Sequence, residues 1–227
     1  FVLMYDRHQG SLKDFLEEGA WKDNPVVKEH AEDLNFTLRV GELTQRNLPL
    51  VQKLRQKRLG GDIRSLRDLA SYDQGKWTEL IGKDVEKPAQ EAERIARAIE
   101  DQFPTEVLAH RILKGGSPYP EEVRTFFNNY LDKELSFNIK TVLIQKFIKD
   151  NPSALDDIPR DLHRPLVTAL KAQQRVRKLT DNADQMQALL ADGIHSAAQI
   201  ARMGGSAFAE TYGGALGGDG EAAARIH

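Results

Sequence analysis

The stretch GGDIRSLRDLASYDQGKWTELIG, from Gly60 to Gly82, constrains this chain more than any other, because it recurs as ADGIHSAAQIARMGGSAFAETYG from Ala191 to Gly213. The two lie on one another without a gap. Ile63 falls on Ile194, Ser65 on Ser196, Leu69 on Ile200, Ala70 on Ala201, Trp77 on Phe208, Glu79 on Glu210 and Gly82 on Gly213. The same register extends from Thr37 over Thr168 to Ile95 over Ile226. About thirteen of roughly sixty aligned positions are identical, and the unbroken register points to a duplicated helical unit spanning 37–96 and 168–227.

The chain around these copies reads as helix throughout. Ser11 with Asp14, and Ser65 with Asp68, have the spacing of a capping box, in which each residue satisfies an orphan amide beside the other. Asn24-Pro25 and Asn47-Leu48-Pro49 place a cap residue and a proline at helix starts. Val27, Ala31, Leu34 and Leu38 step at helical period, as do Ala92, Ile95, Ala96 and Ile99 after Pro88. Gly60-Gly61 closes one helix, and Phe103-Pro104-Thr105 breaks another. SFNIKTVLIQKFI is rich in β-branched and aromatic residues, yet Ile139, Leu143 and Phe147 keep helical spacing and predict helix. NPSALDDIPRD, with two prolines and a run of acids, predicts a hinge between halves. No hairpin signal is present.

The expected fold is therefore all-α, built of many short helices. Its expected divisions are N-terminal helices over 1–36, a first unit over 37–130, a linker or short helices over 131–160 and a second unit over 161–227. The second unit stops at EAAARIH, where the first copy runs on as EAERIARAIEDQF, so the sequence is expected to be a piece of a larger one. Aromatic residues make up only 7%, so the core is expected to lean on Leu, Ile, Val and Ala around Trp77 and Phe208 as plugs.

Composition narrows the chemistry. The formal net charge is −2, which gives no global field to draw in nucleic acid or an anionic membrane. Cysteine is absent, which removes disulfides, thiolate metal sites and cysteine nucleophiles. No apolar run approaches the ~20 residues that span a bilayer. Histidines 8, 30, 110, 163, 195 and 227 are scattered, with no two at the i, i+4 spacing of a metal-binding helix face. GGALGGDGE, from Gly213 to Glu221, lacks the Lys of a phosphate cradle and adds two acids, so it reads as a flexible connector. No catalytic, cofactor-binding or metal-ligating residue is nominated. IARMGGSAFAETYG has the outline of a helix–hairpin–helix, whose turn amides can meet a phosphate. Basic residues cluster nearby in KLRQKR (Lys53 to Arg58) and KAQQRVRK (Lys171 to Lys178). A tandem nucleic-acid module is thus the rival reading, although such clusters on helices are usually solvated faces.

Several ordered motifs carry a family resemblance. FTLRVGELTQRNLPLVQKL, SLRDLASYDQGKWTELI and AERIARAIEDQFPTEVLAHRI, followed later by QRVRKL and LLADGIHSAAQIARMGGSAFAETYG, together resemble the helical segment of Tc-toxin A components and related virulence-plasmid A-type proteins. The resemblance implies a non-enzymatic scaffold from the α-helical shell around a pore-forming channel, in a pentameric component that delivers an enzyme carried elsewhere. It implies other domains or subunits of the parent as partners, no small-molecule substrate, no membrane insertion by this segment, and a secreted or cell-surface bacterial parent.

Overall fold

A computed structural model describes residues 10, 14–15, 25–82, 85–114, 119–218 and 220–227, without the side chains of 26–29. The expected capping box at Ser11 lies outside the described residues. Among those described, all regular structure is helical. The protein is all-α, and its contacts divide it into two compact units, Phe1–Ala96 and Arg97–His227. The division falls inside one helix, Pro88–Gln102, rather than in the 131–160 segment.

In the first unit, α1 (Pro25–Leu43) packs on α2 (Leu48–Leu59), and α2 packs on α3 (Gln74–Ile81). A 3-10 helix, Leu66–Ser71, joins α2 to α3, and α4 (Pro88–Gln102) follows. The helix starts are those the caps dictate. Asn47 Oδ1 accepts from Leu50 N, Asp73 Oδ1 accepts from Lys76 N at 2.8 Å, and Asp68 Oδ2 accepts from Ser65 N at 2.9 Å while Ser65 caps in return. The inner face of α1 differs from the expected stripe. Among its described side chains Phe36 and Val40 are the buried ones, Ala31, Leu34 and Leu38 are half-buried flanks, and Val27 lies outside the described side chains. Arg58 lies over the Phe36 ring, 4.8 Å from its centre, and covers that side. Trp77 is fully buried, edge-on to Tyr72 with ring centres 5.4 Å apart, and its Nε1 has no hydrogen-bond partner.

In the second unit, α5 (Pro104–Leu113) packs on α6 (Glu121–Asp132), and α7 (Ile144–Asp150) leads to α8 (His163–Arg177) and α9 (Ala183–Ala191). Three short helices follow: α10 (Ala197–Met203), α11 (Gly205–Tyr212) and α12 (Glu221–Ile226). Five aromatic residues form one cluster in this unit. Phe126, Phe127, Tyr130 and Phe137 meet edge to face, and Phe137 stacks on Phe147 at 4.2 Å.

The expected helix over SFNIKTVLIQKFI is formed only in its second half: residues 136–143 are non-helical and α7 begins at Ile144. It is followed by 3-10 turns at Pro152–Leu155 and Arg160–Leu162. Thr105 fastens the non-helical part. Its buried Oγ1 donates to Phe137 O at 2.6 Å and accepts from Ile139 N at 2.9 Å. Gln174 Nε2 then takes Ile139 O and Val142 O. The expected hinge is anchored instead: Ala154 and Ile158 are buried, and Asn129 Nδ2 donates to Ala154 O and Asp156 O.

The two stretches aligned in sequence share part of their geometry. At the sequence offset, the bounds of α3 fall on those of α11, Ser65 and Ser196 are both N-caps, and Trp77 and Phe208 are both fully buried. Asp68 Oδ2 accepts from Arg64 N, and Gln199 Oε1, at the equivalent place, accepts from His195 N. They differ elsewhere. Ala70 is buried and Ala201 exposed, the left-handed glycines Gly61 and Gly193 fall one residue out of register, and Phe208 contacts Tyr212 rather than an equivalent of Tyr72.

Three substitutions check these packing assignments by thermal or urea unfolding. Trp77→Ala is expected to cost about 3–5 kcal/mol, and Trp77→Phe clearly less, because no indole hydrogen bond is lost. Thr105→Val leaves two buried backbone groups without a partner and is expected to cost at least about 1–3 kcal/mol.

Candidate functional site

The buried polar side chains of the second unit form its most ordered chemistry. Glu100, near the end of α4, is 8% exposed, and Arg177, the last residue of α8, is 0% exposed. Glu100 Oε1 accepts from Arg177 Nη2 at 2.7 Å and from Ala183 N at 2.6 Å, the first amide of α9. Arg177 Nη1 donates to Thr180 O at 2.8 Å, while its Nε has no partner. Burial raises the Glu100 carboxyl above its ordinary range, against the opposing pull of Arg177 and the Ala183 amide. Burial likewise lowers the Arg177 guanidinium, against the pull of Glu100. Nearby, Glu106 accepts from Tyr130 Oη at 2.7 Å, and Gln185 Nε2 donates to Leu216 O at 2.8 Å. Each of these bonds fixes a helix end, a turn or a ring within the fold.

The expected nucleic-acid surface is placed differently from what its composition suggests. Lys53 Nζ donates to Leu80 O at 2.8 Å, and Arg55 pairs with Asp33 at 3.2 Å. Lys57 pairs with Asp62, and Arg58 lies near Asp33 and donates to Arg64 O. These cations close loops and helix ends instead of forming an unpaired strip. In the stretch from Ala191 to Gly213, Gly204 supplies the turn between α10 and α11 at φ 77°, with Arg202 exposed beside it. Of KAQQRVRK, Arg177 is wholly buried and Arg175 donates through Nε to His195 O.

The histidines stay apart. His30 and His195 are exposed, His163 Nε2 is 2.9 Å from Ile158 O, and His227 lies beside the Phe208 ring. His8 lies outside the described residues. No group of three or more His, Cys, Asp or Glu converges on a point among the described residues. No described helix is long and apolar enough to cross a membrane. The glycine-rich stretch is wound rather than loose. Gly218 N donates to Gly213 O, Leu216 is buried, and Gln185 holds the Leu216 carbonyl.

One feature was not signalled by any motif. A cavity of about 970 Å³ lies between α8 and α9 and is bounded by Tyr119 and Pro120. Four alanines, Ala169, Ala172, Ala188 and Ala191, are part of its walls, and in sequence they look like ordinary helix formers.

The ion pair gives a sharp expectation for stability. Glu100→Gln or Arg177→Met alone leaves one buried partner uncompensated, and each is expected to cost about 3–5 kcal/mol. The double variant is expected to recover most of that loss. Urea unfolding of all four proteins measures the coupling.

Compared with known protein families, with curated proteins and with solved structures, the chain matches none of them.

Proposed function

We propose that this chain is a non-enzymatic helical scaffold, two descendants of one ancestral unit, that belongs to a large bacterial protein of the Tc-toxin A type. It would act by shape, holding neighbouring domains or subunits in place. The observation that carries this reading is the use of the buried polar side chains. Glu100, Arg177, Glu106, Gln174 and Gln185 all bond inward to helix ends, turns or an aromatic ring. Such bonding fixes a geometry, whereas a reacting centre needs polar groups directed at open space. The coincident bounds of α3 and α11, with matched caps and buried rings, support the common origin.

The rival reading, a nucleic-acid module, needs unpaired cations along the turns, and Arg55 and Lys57 are engaged with Asp33 and Asp62. Gel shifts with duplex and single-stranded DNA at low salt are expected to show no salt-sensitive binding. Tight binding lost in Arg55→Gln and Lys57→Gln would reverse the choice. The scaffold reading itself is tested on the full reading frame that contains this sequence. Light scattering and electron microscopy should show a pentamer with these helices in its outer wall. A monomer, or a reading frame no longer than the present chain, would overturn it.

A further inference from the structure

α8 carries its outward cations in one line. Arg164, Lys171 and Arg175, with Lys178 at the helix cap, follow at steps of seven, four and three residues. That spacing places them on a single face about 21 Å long. The helix contains no Asp or Glu. None of the four is in an ion pair among the described residues, and Arg175 uses only its Nε, on His195 O. The acids that follow α8 are engaged elsewhere: Asp181 pairs with Arg225 at 3.1 Å and Asp184 with Arg111 at 3.3 Å. Arg164 is in the first turn, where the positive end of the helix dipole repels a cation and no acid offsets it. The cations of α2, by contrast, hold carbonyls and carboxylates of their own unit.

This line edges the cavity between α8 and α9, about 970 Å³ in volume. Arg164 and Arg175 are the first and last residues that α8 gives to its lining. Between them the walls are mainly apolar, with Ala169 and Ala172 on α8 and Ala188 and Ala191 on α9, and no Asp or Glu is among the described lining residues. The two arginines are three turns apart, roughly 16 Å, so no single small anion meets both. An elongated partner can.

From this arrangement we infer that the furrow seats an acidic amphipathic helix of a partner protein. The apolar stripe of that helix enters between α8 and α9. Its carboxylates, repeated at helical period, lie along Arg164, Lys171, Arg175 and Lys178. Apolar burial supplies most of the affinity, while the exposed ion pairs select sign and direction. A nucleic acid would use the cations and leave the apolar furrow empty. An anionic membrane needs large apolar side chains that reach outward. The exposed ones among the described residues, Leu48, Leu59 and Leu143, are on neither α8 nor α9. Such a seat rests on the scaffold reading only in taking a protein as partner. It is tested on the present chain, so a pentamer that failed to appear would leave it standing.

The probe is a display library of helical peptides about eighteen residues long. Leu and Ala fill one stripe, and the flanking positions are drawn from Glu, Gln and Lys. Selection on the whole chain is expected to enrich Glu at flanking positions spaced like the four cations. The best binder is then made synthetically and followed by fluorescence anisotropy. Replacing Arg164, Lys171 and Lys178 together by Gln is expected to weaken it about tenfold, the combined effect of three exposed ion pairs. Ala191→Phe, at an exposed position on the wall, is expected to abolish binding while circular dichroism shows the helices kept. The seat is refuted if no peptide is enriched, if Lys or Gln is recovered as often as Glu, or if either variant binds like the native chain. It is refuted too if duplex DNA or vesicles of anionic lipid displace the peptide at equal concentration, because the cations would then serve phosphates.

Discussion

A single carboxylate oxygen organises the second unit. Glu100 Oε1 joins the end of α4, the end of α8 through Arg177 and the start of α9 through Ala183 N. Removing both charges from water is expensive, and a buried pair of this kind is weak grounds for claiming extra stability. Its effect is on geometry. Arg177 Nη1 holds Thr180 O, and Thr180 Oγ1 reaches back to Val176 O. Gln185 then caps from the other side, its Oε1 accepting from Asp181 N while its own amide meets Asn182 Oδ1. The turn between α8 and α9 is thereby specified residue by residue, and so is the spacing of the two helices that bound the alanine-lined cavity.

The first unit solves its helix ends with cations instead. Arg94, held bidentate by Glu91, donates to Leu43 O at the end of α1, and Lys53 donates to Leu80 O near the end of α3. Carbonyls at helix C-termini carry partial negative charge and lack intrahelical donors, so long basic side chains are natural partners. This gives the KLRQKR cluster a structural purpose, which a count of basic residues does not show.

Local chemistry was readable from the sequence. Asn47, Ser65 and Asp68 cap where their spacing said they would, and Trp77 and Phe208 are the buried rings expected at matched positions. What escaped was long-range. Glu100 and Arg177 are 77 residues apart in sequence, and Thr105 acts on residues 32 and 34 further on. No periodicity signals that a threonine will fasten two backbone groups of a non-helical segment, so SFNIKTVLIQKFI read as helical along its whole length. The cavity was hidden for a related reason. It exists because small side chains from two helices face each other, and each helix taken alone is an ordinary alanine-containing helix.

The matched rings also divide the molecule optically. Both tryptophans, at positions 21 and 77, precede Arg97 in the sequence, and the second unit carries Phe208 where the first has the Trp77 indole. Tryptophan emission therefore reports on one half of the protein alone, with Trp77 shielded from water and expected to emit toward the blue. Far-ultraviolet circular dichroism, in contrast, sums the helices of both halves. A denaturation series in which the two signals part company would reveal that the halves melt independently, without any label being introduced.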